Sequence, residues 1–283
     1  MKIEFTKATA SGNDFVIIDS RNKTFDFNYN NFVKIACNRK FGIGADGVIF
    51  IEKDIDCDFL MRYFNLDGSE GSLCGNGARC ASKYYSRFTN KKQLSFKAIG
   101  KKYESDILDN SVRLYLPDLS NEIKNYNFEI ENYDLNAFFI NTGSPHIIIF
   151  ENEFKKIGDI QQLDVYKYGN LIRNHSSLLP DGANINFVKI IDDNSIRIRT
   201  YERGVEDETL ACGTGSIASA IISYLTFNMK KPIRILTQGG EIFIVNFDQN
   251  NTIFEKLSLE GSAKLVFDGI SFYDEKNNEL KIN

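Results

Sequence analysis

The chain is written twice. Gly12-Asn13-Asp14-Phe15-Val16-Ile17-Ile18 recurs as Gly143-Ser144-Pro145-His146-Ile147-Ile148-Ile149, a glycine turn entering an apolar strand. Asp46-Gly47-Val48-Ile49-Phe50 recurs as Ala183-Asn184-Ile185-Asn186-Phe187. The strand pattern at 59–64 leads to Cys74-Gly75-Asn76-Gly77 and a helical pattern. That at 196–201 leads to Cys212-Gly213-Thr214-Gly215 and another. The offsets are 131, 137 and 138 residues, so only small loop changes separate the copies. One such match means little, but three in order predict two similarly folded domains. The expected boundary lies near Pro117. Residues 1–118, completed by 263–283, form the first domain and 119–262 the second.

Short runs rich in Ile, Val, Phe and Tyr dominate, at 14–19, 48–51, 58–64, 112–116, 138–150, 185–190, 196–201 and 233–236. Helical patterns are fewer, at 31–38, 76–88, 162–173 and 215–228. This mixture predicts an α+β fold. Lys and Arg number 34 against 38 Asp and Glu, a net charge of −4, and the basic groups are short. Nucleic acid and anionic membrane are therefore not expected as partners. No apolar run approaches the roughly 18 residues of a membrane span, and charges fill the first seven residues where a signal peptide would be apolar. A cytoplasmic location is the expectation.

The five cysteines have no C-x2-C spacing, and there are two histidines, so neither a disulfide framework nor a metal site is expected. Gly42-Ile43-Gly44-Ala45-Asp46-Gly47 lacks the dinucleotide-binding spacing. Cys37, Cys57 and Cys80 read as structural and His175 as solvated.

The two C-G-x-G motifs carry the chemistry. A lone Cys-Gly is most often a core cysteine at an ordinary helix start. Two at matching places of a repeat reverse that reading. The first turn of a helix has free N–H groups and partial positive charge. A thiol there is expected to have a lowered pKa, and the same N–H groups can hold a carboxylate. Two thiols facing one another across a cleft between domains would suit inversion of a carbon centre. One removes a proton from one face while the other delivers a proton to the opposite face. Asn13, Asn65, Asn76 and Asn184 offer amides, Arg203 a carboxylate-binding fork and Glu202 a partner for an ammonium. Each Asn read alone is as readily a turn residue, Glu202-Arg203 a surface pair, and His146 a structural histidine.

These residues resemble the diaminopimelate epimerase family. The resemblance rests on Ser11-Gly12-Asn13-Asp14-Phe15, the stretch at 42–47, Phe64-Asn65-Leu66-Asp67-Gly68-Ser69-Glu70 and Cys74-Gly75-Asn76-Gly77-Ala78-Arg79-Cys80. It continues through Asn141-Thr142-Gly143-Ser144-Pro145-His146, Tyr201-Glu202-Arg203-Gly204, the stretch at 208–215 and Phe267-Asp268-Gly269. It implies two pseudo-symmetric domains, each a mixed sheet wrapped around a central helix, with the active site between them. It implies cofactor-independent interconversion of LL- and meso-2,6-diaminopimelate, on the route to lysine and peptidoglycan. Cys74 and Cys212 match the catalytic cysteines, and His146 and Glu202 match positions supporting the reaction. Asn13, Asn65, Gly75, Asn76, Asn184, Glu202, Arg203, Gly213 and Thr214 match substrate-binding positions, with Ser144 where some members have Asn. Phe267 matches an aromatic position at the interface of a homodimer. Some members have Gln at Gly47, and the stretch 204–208 is one residue longer than in some. The competing expectations are a proline- or hydroxyproline-type racemase, an amino-acid-binding protein without chemistry, and a thiol redox enzyme.

Overall fold

A computed structural model describes residues 1–120 and 122–282. The chain divides into two compact units, Met1–Tyr115 with Gly261–Asn283, and Leu116–Glu260. The class is α+β, strands with few helices. The first unit opens with β1 (Lys2–Ala10), β2 (Asn13–Asp19), helix α1 (Tyr29–Cys37), β3 (Gly47–Glu52), β4 (Phe59–Asn65) and helix α2 (Gly75–Tyr85). It continues through β5 (Gln93–Ala98), β6 (Lys101–Ile107) and β7 (Ser111–Tyr115). The second runs β8 (Leu119–Ser120), β9 (Lys124–Ile130), β10 (Tyr133–Asn141), β11 (Pro145–Phe150), α3 (Glu151–Phe154) and α4 (Val165–Arg173). Then come β12 (Asn184–Ile190), β13 (Ser195–Glu202), β14 (Asp207–Thr209), α5 (Gly213–Phe227), β15 (Ile233–Leu236), β16 (Ile242–Asn250) and β17 (Ile253–Ser262). The chain closes with β18 (Lys264–Asp274) and β19 (Glu279–Ile282), where β18 pairs antiparallel with β1.

The two units share one pairing scheme. In the first, β1 is antiparallel to β2, β2 parallel to β3, β3 antiparallel to β4, β4 parallel to β5, and β5 antiparallel to β6. In the second, the same order of senses runs through β10, β11, β12, β13, β15 and β16. Each sheet packs around one helix, α2 or α5. A helix enclosed in this way is buried over most of its surface and has to be narrow. Accordingly α5 buries Ile217, Ile221 and Ile222 beside Ala218, Ala220, Ser216, Ser219 and Ser223. Asn228, in the left-handed conformation, ends it.

Period-two alternation decides what faces α5. In β11 and β12, Ile148 and Val188 join the core around α5, whereas Ile147, Ile149, Ile185 and Phe187 join the core under α4. The apolar run 138–150, read from sequence as one strand, is two. A turn at Thr142-Gly143-Ser144 splits it, with Gly143 at φ +104° and its N–H donating to the Asn141 side chain at 3.0 Å. The helical pattern at 162–173 begins only at Val165, because Asp164 caps it by accepting the Lys167 N–H at 2.9 Å. No helix among the described residues is long and apolar enough to cross a membrane.

Candidate active site

Each unit carries one of the motif cysteines at the same local place. Cys74 caps α2 and Cys212 caps α5, both with extended backbone. Each sulfur accepts the N–H of the residue three positions on, Gly77 or Gly215, at 3.4 Å. Sulfur thus takes the place usually held by a Ser, Thr, Asp or Asn oxygen. The second glycine of each motif lies where the helix presses on the sheet. A Cβ on Gly215 would lie 2.4 Å from Asn186 Oδ1, and one on Gly77 would lie 3.2 Å from Ile49. The first glycine is on an open flank, where a Cβ on Gly75 or Gly213 would meet only a leucine methyl at 3.9 or 3.8 Å.

In the first unit, Asn13, Asn76 and Asp46 form a chain. Buried Arg79 donates to Asn76 Oδ1 at 2.7 Å and to Ser11 Oγ at 2.8 Å. Asn76 Nδ2 then donates to Asn13 Oδ1 at 2.7 Å, and Asn13 Nδ2 to Asp46 at 2.9 Å. Because guanidinium only donates, both amides are held in one orientation. Asn65, at the end of β4, donates instead to Ser69 Oγ at 3.2 Å.

In the second unit, Ser144, His146 and Thr214 meet. His146 Nε2 lies 2.9 Å from Ser144 Oγ and 3.0 Å from Thr214 Oγ1, which is 3.5 Å from Cys212 Sγ. Asn184 donates to the Pro145 carbonyl at 3.0 Å and accepts the Arg203 N–H at 2.9 Å. Glu202 and Arg203 diverge: the carboxylate accepts the Thr209 hydroxyl at 2.9 Å, and the guanidinium donates to the Asp181 carbonyl at 3.1 Å.

Burial dominates the electrostatics of this unit. His146 is completely buried, and burial together with the Arg203 charge lowers its pKa to about 3, so the ring is neutral. Burial also raises the pKa of Glu202, which the Thr209 hydrogen bond opposes. For Cys212 the expectation of a lowered pKa is corrected. Burial, aided by the Glu202 charge, pushes the thiol up to about 12, outweighing hydrogen bonds from Thr214 and Gly215. Helix-start donors favour a thiolate, but a dry site disfavours any charge more strongly. Burial likewise raises Cys37 and Cys80 to about 12.

The sequence matches the family model described as diaminopimelate epimerase over residues 5–115 and 138–266. The chain belongs to the diaminopimelate epimerase family. A diaminopimelate epimerase of Hydrogenobaculum sp. (strain Y04AAS1) is 38% identical over 281 residues, covering 95% of this chain and 98% of that protein. One of Aquifex aeolicus (strain VF5) is 36% identical, covering 94% and 97%. Among solved structures, a phenazine biosynthesis protein of the PhzF family from Bacillus anthracis has a TM-score of 0.69 at 15% identity, covering 96% of this chain and 100% of that one. A hydroxyproline epimerase from Agrobacterium vitis, with bound trans-4-hydroxy-L-proline, has a TM-score of 0.67 at 12% identity, covering 95% and 92%. At those identities the likeness shows a common fold.

Gly47 and the stretch 204–208, both singled out in the sequence, have defined local packing. Gly47 is buried in β3, and a Cβ there would lie 2.5 Å from the Tyr63 ring and 2.6 Å from the Phe64 carbonyl oxygen. Tyr63 fills the space a longer residue would need. The stretch after Glu202 closes as a tight hairpin between β13 and β14, with Gly204 and Glu206 at positive φ and Glu206 N–H donating to the Glu202 carbonyl at 2.8 Å. Phe267 lies half exposed on β18, edge-on to Phe5 at 6.1 Å. Among the described residues no cluster of three His, Cys, Asp or Glu side chains could hold a metal ion. His175 is not simply solvated: its Nδ1 accepts the Ser177 N–H, and its ring meets Phe128 edge-on at 5.2 Å.

Sequence reasoning passed over Asn186, Thr200 and Arg79. Asn186 had a signal, since the repeat places it against Ile49. A polar residue in a buried strand position needs a partner.

Proposed function

We propose that this chain interconverts LL- and meso-2,6-diaminopimelate by a two-base proton transfer between Cys74 and Cys212, without a cofactor, as a step toward lysine and peptidoglycan precursors. The observation that carries this reading is the repeated cap: one cysteine per unit, at the same place on the central helix, held by the same glycine N–H. In one direction the Cys74 thiolate takes the α-proton and becomes a thiol. The electron pair left on carbon is delocalised into the α-carboxylate, and the Cys212 thiol protonates the opposite face, becoming the thiolate. Burial that keeps Cys212 protonated suits this donor role. The reverse direction exchanges the two roles. N–H groups at the two helix starts hold the α-carboxylate as charge builds on it. Asn13, Asn65, Gly75, Asn76, Asn184, Arg203, Gly213, Thr214 and Ser144 bind the substrate, and His146 and Glu202 support the transfer. The two units of one chain are read as the two copies of the repeat, and two such chains associate as a cytoplasmic homodimer through the face carrying Phe267.

The test is incubation of the reduced protein with LL-diaminopimelate in D2O without pyridoxal phosphate, followed by chiral chromatography and mass spectrometry. Meso product with deuterium at the inverted carbon is expected. Cys74→Ala and Cys212→Ala should each abolish it, because each face needs its own group. Near-normal turnover in either variant overturns the two-base assignment, and binding without exchange favours a non-catalytic amino-acid binder.

A further inference from the structure

Behind Cys212 stands a polar trio that the repeat does not require. His146, Asn186 and Thr200 lie on the α5 face of β11, β12 and β13, and all are buried. Register brings them together: Ile148 is opposite Asn186 in the parallel pair, and Asn186 is opposite Thr200 in the antiparallel one. In the first unit the matching positions are Phe15, Ile49 and Tyr63. There Ile17 is opposite Ile49 and Ile49 opposite Tyr63, and the Phe15 and Tyr63 rings meet edge-on at 6.1 Å. Gly77 presses on Ile49 as Gly215 presses on Asn186. The same framework is therefore built once with an apolar or aromatic trio and once with a polar one. Buried polar groups cost stability unless fully satisfied, so retaining them behind one cysteine alone points to that cysteine.

The hydrogen bonds of the trio have a single direction. Asn186 Oδ1 accepts the Thr200 hydroxyl at 2.9 Å, and Nδ2 donates to the Ile147 carbonyl at 3.1 Å. A carbonyl can only accept, so the amide has one orientation. Its second N–H points to His146 Nδ1 at 3.0 Å, which makes Nδ1 the acceptor. A neutral imidazole has one N–H, and here it must be on Nε2. That N–H faces Ser144 Oγ and Thr214 Oγ1. Ser144 Oγ also accepts Asn184 Nδ2 at 3.3 Å, which leaves its hydrogen for Thr214 Oγ1 at 3.1 Å; Thr214 then has its own hydrogen for Cys212 Sγ at 3.5 Å, a sulfur that as a thiolate can only accept.

We propose that Asn186, backed by Thr200, is a positioning residue that holds His146 in its Nε2–H tautomer and so turns the Thr214 hydroxyl toward the Cys212 sulfur. The run of donors from Thr200 through Asn186, His146 and Thr214 ends at the sulfur, which assists formation of a thiolate in a site that otherwise opposes charge. The Glu202 charge acts against ionisation of Cys212, and the Arg203 charge acts against protonation of His146. The effect on turnover rests on the epimerase reading, but the tautomer and the thiol reactivity do not.

With two histidines in the chain, 15N-histidine labelling and two-bond 1H–15N spectra resolve the ring directly, and His175→Gln assigns the signals. The wild-type protein should show His146 neutral with the proton on Nε2, and N186L should show a mixture of tautomers. Iodoacetamide alkylation of Cys212, followed by peptide mass spectrometry from pH 7 to 10 with Cys74 as reference, should slow about tenfold in N186L and T200V, as expected for loss of a hydrogen bond to a charged group. T200S, which keeps the hydroxyl, should restore the rate. A proton on Nδ1 in the wild type, an unchanged tautomer in folded N186L, or an unchanged Cys212 rate in that variant overturns the proposal. Tautomer and reactivity as expected but no turnover of diaminopimelate would leave the proposal standing and remove the substrate assignment. Undiminished turnover in folded N186L would do the reverse.

Discussion

At Gly215 a single methyl group would sit 2.4 Å from the Asn186 oxygen, whereas at Gly213 it would meet only Leu259 at 3.8 Å. The two glycines of one motif therefore differ, the second closely packed and the first on an open flank. Gly215→Ala should cost about 1–3 kcal/mol of stability, as overpacking does, and should lower epimerase activity by displacing Asn186. Gly213→Ala should change stability by no more than about 0.5 kcal/mol, as a surface-like substitution does. Urea unfolding of the two variants checks this, and equal costs would show that the helix start is not crowded. Cysteine at both caps was legible in the sequence. The protonation of Cys212 was not, because it depends on how completely distant strands exclude water.

The element that delivers Cys212 is the hairpin of β13 and β14, and Arg199 ties it down. The guanidinium makes two bonds of 2.7 Å to Glu208 and donates to the Ile160 and Leu163 carbonyls at 2.9 and 2.8 Å. Arg199→Met strands a largely buried carboxylate and two carbonyls, so it should cost about 3 kcal/mol. The double variant R199M/E208Q should recover part of that loss in the same unfolding measurement. On the first unit, Asp14 lies beside Asn13 between Lys7 and Arg39. Burial alone would raise its pKa, but hydrogen bonds from Arg39 and Lys7 outweigh it and bring the group down to about 2. A carboxylate depressed below its unfolded value of about 3.9 contributes stability above that pH and loses it as pH falls toward 2. Wild-type stability should therefore fall between about pH 4 and pH 2, and Asp14→Asn should flatten that part of the acid-unfolding profile.

The whole molecule is closed by its ends. β18 runs antiparallel to β1, and the Tyr273 N–H donates to the Met1 carbonyl at 2.8 Å. The Tyr273 ring is buried against Phe27 and Phe32, at 5.4 and 5.2 Å, so the first unit's core is completed by residues about 240 positions away in the chain. Tyr273→Ala should cost about 3–5 kcal/mol, the range for emptying an aromatic core site. A thermal midpoint close to wild type would show that the C-terminal strands are dispensable to that core.

The duplication, the α+β class and the family were legible in local sequence, because periodicity and motif spacing are properties of neighbouring residues. Alternation along a single strand says which of its residues share a face, but it does not join Asn186 and Thr200 to His146. Strand register, which is set by pairing between distant segments, decided that these three side chains touch. It also decided that Gly47 has Tyr63 in its place and that β18 seals the first sheet. The depth of Cys212 followed from the same long-range packing. Burial is a sum over neighbours from the whole fold, and no window of sequence around a cysteine contains it.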